Sequence, residues 1–143
     1  MGTFNGPQPL RTKAFVLTNA EILTLFSVGA DILPAPGAGL FIHLWHYAFI
    51  VDSAAGAYVG GGNASWNWGS ATASVAGLTS ASFTAGAIVR AVNNQTMVNL
   101  TVSPTNGALR LVTATADFTG GNAANTLAGK IWYTIEQATQ PFL

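Results

Sequence analysis

The sequence contains no cysteine. Disulfides, thiolate-held zinc and cysteine nucleophiles are excluded on that ground, and the redox compartment stays open. Charge is scarce as well: charged side chains make up 7% of the 143 residues, against about 25% in an ordinary soluble domain. Five basic residues are matched by five acidic ones, so the formal net charge is zero. A binder of phosphate backbones needs a surplus of Lys and Arg, and there is none. A disordered chain needs high charge and few large apolar residues, and here half of the residues are hydrophobic. No apolar run is long enough to form a membrane-crossing helix. The longest, Leu40 to Val51, includes His43 and His46 and falls short of the roughly twenty residues such a helix needs. The stretch Met1 to Pro7 lacks a basic segment leading into an apolar one, so no signal peptide is expected there. Soluble chains that work alone use charge to stay apart, and this composition points instead to a working state that is an assembly.

What the sequence has is punctuation. Sixteen glycines and six prolines, with many Thr, Asn and Ser residues, cut the chain into short pieces. That pattern reads as strands joined by turns. Strands are expected at Thr12 to Leu17, Ala30 to Leu33, Leu40 to Val51, Ala57 to Val59, Ala64 to Trp68, Ala87 to Val92, Gln95 to Ser103, Leu109 to Ala116 and Leu127 to Glu136. Ala71 to Leu78 reads as strand or loop, and Phe118 to Asn122 opens a loop. One short helix is expected from Asn19 to Phe26, capped by Thr18 or Asn19 with Glu21 in its first turn. Thr79 to Val92 is ambiguous, with room for a short helix around Ser82 to Ala87 ahead of its strand. Strands do not alternate with long helices, which argues against a parallel doubly wound sheet. The expected fold is all-β, an antiparallel sandwich or jelly roll with one short helix. The expected organisation is an N-terminal arm over residues 1–13, one domain over 14–137 and a tail over 138–143.

Leu40 to Val51 carries the most information. Read with a period of two, one face holds Phe41, His43, Trp45, Tyr47, Phe49 and Val51, and the other Leu40, Ile42, Leu44, His46, Ala48 and Ile50. Both faces are largely apolar, as in a strand covered on both sides. If one face meets another sheet, the second needs a cover, and a neighbouring subunit is the simplest. Phe41, His43, Trp45, Tyr47 and Phe49 are therefore the candidate interface, with Arg11 and Lys13 on the arm.

Chemistry is thinly signalled. The acids Glu21, Asp31, Asp52, Asp117 and Glu136 are far apart in sequence, and Asp31 and Asp52 flank turns that they can brace. On a regular strand His43 and His46 point to opposite faces and cannot share a metal without a bulge. There is no Gly-x-Ser-x-Gly elbow, and Gly60-Gly61-Gly62 lacks the lysine of a phosphate loop. The glycosylation sequons at Asn63, Asn94 and Asn99 read as chance matches in an Asn- and Thr-rich chain. Trp66 and Trp68 share one strand face, either as packing or, with Tyr58, as a sugar-stacking platform. No catalytic, cofactor or metal residues are assigned.

Several segments, in order, resemble small virion structural proteins of tailed bacteriophages. They are Ala20-Glu21-Ile22-Leu23, the turn Pro34 to Gly39 feeding a long strand, Ala57 to Asn63, and Phe118 to Asn122 followed by a last strand with Lys130-Ile131-Trp132-Tyr133. Together they span Ala20 to Ile135. The resemblance implies a jelly-roll or sandwich module and a non-enzymatic role, foremost as a decoration (cement) protein on the outer surface of the capsid. Its implied partners are further copies of itself in a homotrimer and the major capsid protein, with no nucleic acid and no membrane. A tail or fibre part with an adhesive or sugar-binding role is the alternative within the same resemblance. A glycan-acting enzyme with two carboxylates about 5–10 Å apart is the alternative outside it. The strand Leu40 to Phe49 is more aromatic than the family pattern, and the resemblance transfers no functional residues.

Overall fold

The structure, a computed structural model, describes residues 8–69, 74–93 and 105–137. The strand expected at Gln95 to Ser103, the sequons at Asn94 and Asn99 and the tail over 138–143 lie outside these residues. The order of elements is β1 (Arg11–Thr18), α1 (Asn19–Leu23), β2 (Ala30–Leu33), β3 (Leu40–Asp52), β4 (Tyr58–Gly60), β5 (Ala64–Trp68), β6 (Ser74–Ala76), α2 (Ala81–Thr84), β7 (Ile88–Asn93), β8 (Leu109–Thr113), β9 (Phe118–Gly120) and β10 (Thr126–Gln137). All pairings among these strands are antiparallel. They form a four-stranded sheet in the order β1-β10-β3-β7, a second in the order β2-β8-β5-β6, and a two-stranded β4-β9 ribbon.

Local chemistry sets the boundaries. The Thr18 hydroxyl accepts from the Glu21 N–H, and the Glu21 carboxylate accepts from the Thr18 N–H at 2.8 Å, a reciprocal capping box. The helix ends at Leu23 and not at Phe26, because the chain turns there and the Asp117 carboxylate, 2.9 Å away, accepts the N–H groups of Phe26 and Ser27. A second short helix, α2, is present beside the expected one and buries Phe83. The paired sheet begins at Arg11, whose partner is Tyr133, so residues 11–13 belong to a strand and not to an arm. Phe118 to Gly120, expected as loop, pairs with Tyr58 to Gly60.

The inner faces of the two large sheets meet through aromatic rings. Trp66 of β5 lies parallel to Phe49 of β3 with centroids 5.7 Å apart, and Phe15 of β1 meets Trp66 edge-on at 6.2 Å. Trp68 donates from its ring nitrogen to the carbonyl of Ile42 at 2.8 Å, so one hydrogen bond joins the sheets inside the core. Phe15 finds room because its cross-strand partner is Gly129. A Cβ at Gly129 would overlap the Phe15 ring, the packing by which an aromatic residue covers a glycine in the neighbouring strand. One end of the core is closed by Tyr58, Phe83 and Phe118, with Phe83 and Phe118 4.6 Å apart. Phe118 also lies over Gly61, whose φ of +75° and lack of a side chain are both required there.

A candidate assembly face on the first sheet

β3 does not alternate regularly from end to end. Its register against β10 passes from Trp132 opposite His46 to Tyr133 opposite Leu44, leaving Trp45 as an extra residue. This β-bulge reverses the facing of everything before it. Ile42 and Leu44 point inward on one side of the bulge, and Tyr47, Phe49 and Val51 point inward on the other. The six residues expected on one face are thus divided. Phe41, His43 and Trp45 point to the outer face of the sheet, where Trp45 is exposed, His43 half-buried and Phe41 buried. Tyr47 and Phe49, 1% and 2% exposed, are core residues of the chain itself and are not available as an interface. Arg11 and Lys13 are exposed, but they share the strand face of Phe15 and Leu17, away from Trp45.

The same bulge corrects the placement of the histidines, which lie on the same outer face. Each is engaged separately. The His43 ring stacks on Trp45 with centroids 4.1 Å apart, and its Nδ1 lies 3.2 Å from Glu136 Oε1. His46 packs on Trp132 at 4.6 Å, and Lys130 holds its ammonium 5.2 Å from the centre of the same indole. Among the described residues no group of three or more His, Asp and Glu side chains is placed to hold a metal.

A hydrogen-bond chain fixes the exposed indole. Trp45 Nε1 donates to Thr134 Oγ1 at 2.9 Å, and Thr134 Oγ1 donates to Glu136 Oε1 at 2.6 Å. His43 meets the same carboxylate oxygen. Phe41 continues the ring column, 6.3 Å from His43 and 26° from parallel. The arrangement holds the Trp45 indole in a fixed orientation on the outer face of the sheet.

Further along this face the side chains are apolar and exposed: Val16 at 62%, Ile50 at 36%, Ile88 at 57% and Val92 at 69%, with Trp45 at 42%. The pairings place Val92 beside Ala48, and Ala128 between Ile50 and Val16. Its charged residues are Asp52, Arg90, Lys130 and Glu136, two of each sign.

The other site residues suggested by the sequence lie elsewhere. Trp66, Trp68 and Tyr58 are at most 1% exposed, so the sugar-stacking platform proposed on them is core. The Tyr58 hydroxyl donates to Asn19 Oδ1 at 2.8 Å; burial raises its pKa, against the smaller lowering effect of a side-chain hydrogen bond from Asn125. Each of the five carboxylates has a structural partner. Glu21 caps α1, Asp52 braces its own turn through the Ala54 N–H, and Asp117 binds the turn after α1. Asp31 meets Arg110 Nε at 2.5 Å across β2 and β8, and Arg110 also donates to the Val28 carbonyl. Glu136 takes Thr134 and His43. Hydrogen bonds from the Ser27 side chain and backbone, and from the Phe26 N–H, outweigh desolvation and hold the Asp117 carboxyl below its ordinary value.

The outer cluster was missed in the sequence because its polar members, Thr134 and Glu136, come from β10. Regular alternation there puts Trp132, Thr134 and Glu136 on one side of the strand; only the pairing brings them to Trp45 and His43. Comparison of the chain with protein-family profiles, with curated proteins and with solved structures gives no match.

Proposed function

We propose that this chain is a non-enzymatic structural subunit, built as a jelly roll, that decorates the outer surface of a tailed-phage capsid as a homo-oligomer. The observation that carries this reading is the outer face of the first sheet, apolar, exposed and neutral in net charge, on a chain with few charges anywhere. Exposed apolar patches of this kind mark interaction surfaces. The strand order supports the fold. With the short β4-β9 ribbon set aside, the eight remaining strands pair from the outside in: β1 with β10, β2 with β8, β3 with β7, β5 with β6. A long antiparallel hairpin rolled onto itself gives that nesting, and double-sheet jelly rolls recur in viral shells. The commitment of all five carboxylates to capping, turns and cross-strand contacts favours a structural role over acid–base chemistry. The virion, its major capsid protein as partner and the trimer rest on the sequence resemblance.

A shell under pressure from packaged DNA gains from any protein that buries area across its joints. At about 25 cal/mol per Å², each 1,000 Å² of apolar burial contributes a gross ~25 kcal/mol before ordering costs. The test is the temperature at which particles encoded by the same genome release their DNA, with and without this protein. Full occupancy is expected to raise it. An unchanged release temperature at full occupancy overturns the decoration role.

A further inference from the structure

We infer that the partner covering the outer face of the β1-β10-β3-β7 sheet is a second copy of this chain, an inference that takes the proposed role in an assembly and names its contact surface. Size is the first argument. The four strands have 8, 12, 13 and 6 residues. At about 3.3 Å per residue and about 4.8 Å between strands they present on the order of 600 Å². The end of the face at Phe41 and Thr134 is already buried, 8% and 4% exposed, so two such faces together offer about 1,000 Å², near the lower bound for a specific interface.

Charge is the second argument. Of the two acids and two bases on this face three have partners within it, and Arg90, without one among the described residues, is exposed on the edge strand β7. Glu136 is held by Thr134 and His43, Asp52 accepts from its own turn, and Lys130 sits over Trp132. Burying them strands no bare carboxylate, the event that makes buried charge costly. A face with no net charge does not select a phosphate or an anionic lipid surface, both of which ask for a basic excess. It suits a partner of the same composition.

Shape is the third argument. Trp45 stands at one end of the face, fixed from behind by its hydrogen bond to Thr134 and by the His43 ring. Toward the other end, Ala48 and Ala128 leave a low floor beside Ile50. Each copy therefore carries both a fixed projecting indole and a shallow seat. The indole of each copy rests on the floor of the other, so that one face meets its own equivalent across a two-fold axis.

The test is sedimentation of the purified full chain at micromolar concentration, with two variants that add charge to the seat, Ile50→Lys and Ala128→Arg. Val59→Lys on β4 is the control; Val59 is an apolar residue 63% exposed outside this face. Circular dichroism identifies variants that are folded. The parent chain and Val59→Lys are expected to sediment as a multiple of 14.7 kDa. At least one seat variant is expected to stay folded, with its association weakened tenfold or more, the scale of a hot-spot loss. A monomeric parent chain overturns the inference, as do folded seat variants that keep the parent's mass. A parent chain that is monomeric but coats particles, and loses coating in Ile50→Lys, assigns the face to the shell protein and keeps the decoration role. A chain that self-associates through this face and leaves particle stability unchanged keeps the inference and removes the decoration role.

Discussion

On the far side of the bulge in β3, Tyr47 and Phe49 are packed against Trp66 in the interior of the chain. On the near side Phe41, His43 and Trp45 turn to the outer face as a column of rings, of which Trp45 alone is exposed, with Trp45 tied to Thr134 and His43 to Glu136. Composition does not distinguish the two halves. What separates them is one additional residue and the polar groups available opposite. The inner half meets a second sheet that offers rings, and its stability is the burial of area. The outer half meets two oxygen-bearing side chains of β10, and its order comes from hydrogen bonds that keep a large ring at the surface. Removing solvent holds the first in place, whereas directed polar contacts help hold the second and leave the Trp45 ring exposed.

The sharpest way to break this contrast is to delete Trp45. Without the extra residue the strand regains strict alternation, and either Ile42 and Leu44 turn outward with His43 inward, or the pairing with β10 slips. The expected result in urea denaturation is failure to fold or a loss of about 4 kcal/mol or more, among the largest effects of single changes. A deletion variant of near-parent stability would mean that the bulge does not set the facing.

Comparing one substitution on each side of the bulge gives a smaller and more graded difference. Phe49→Ala removes a ring that is 2% exposed and stacked on Trp66, and is expected to cost about 3–5 kcal/mol of folding stability. Trp45→Ala removes a larger ring that is 42% exposed, and is expected to cost about 1 kcal/mol, mainly through the hydrogen bond to Thr134. Equal losses in chemical denaturation would place Trp45 in the core after all.

The smallest effect sharpens the comparison from outside β3, at a polar contact that titrates. Hydrogen bonds from Ser27 and Phe26 lower the Asp117 pKa in the folded chain, so the folded state favours the carboxylate more than the unfolded state does. That contribution is present above the ordinary value of 3.8 and is lost as pH falls below it toward the folded pKa. Thermal midpoints are expected to decline over that acid range, and Asp117→Asn is expected to flatten the decline. An identical acid profile in the variant would remove Asp117 from the turn's stability.

Much of the element order was legible because local chemistry dictates it. Ala30 to Leu33 and Ala64 to Trp68 fall where turn residues bound short alternating runs, and the Thr18–Glu21 cap marks the start of α1. The bulge was not legible. Between Leu40 and Val51 both alternating sets are apolar, so a shift of one residue leaves no trace in the pattern. Asp52 and Ser53, the next polar positions, lie beyond it. The ribbon of β4 and β9 was half legible: strands of three residues, each ending in glycine, are too short to show a pattern, and the packing of Tyr58 on Phe118 secures them. Trp66 and Trp68 were correctly read as sharing a face, but alternation alone does not say whether that face meets protein or water.

The position of β10 in the first sheet bears on how the chain comes into being. The last strand lies between the first and the third, pairing with β1 along eight residues and with β3 along its whole length. During synthesis β1 therefore has no partner until β10 emerges. At about 5–20 residues per second the interval from Thr18 to Thr126 lasts roughly 5–20 s. For that time β1 waits unpaired, and from its own emergence β3 keeps one edge open, the condition in which chains pair wrongly with one another. Strand β10 acts as the closing key of the domain: the sheet that carries the exposed outer face is not complete until β10 has emerged.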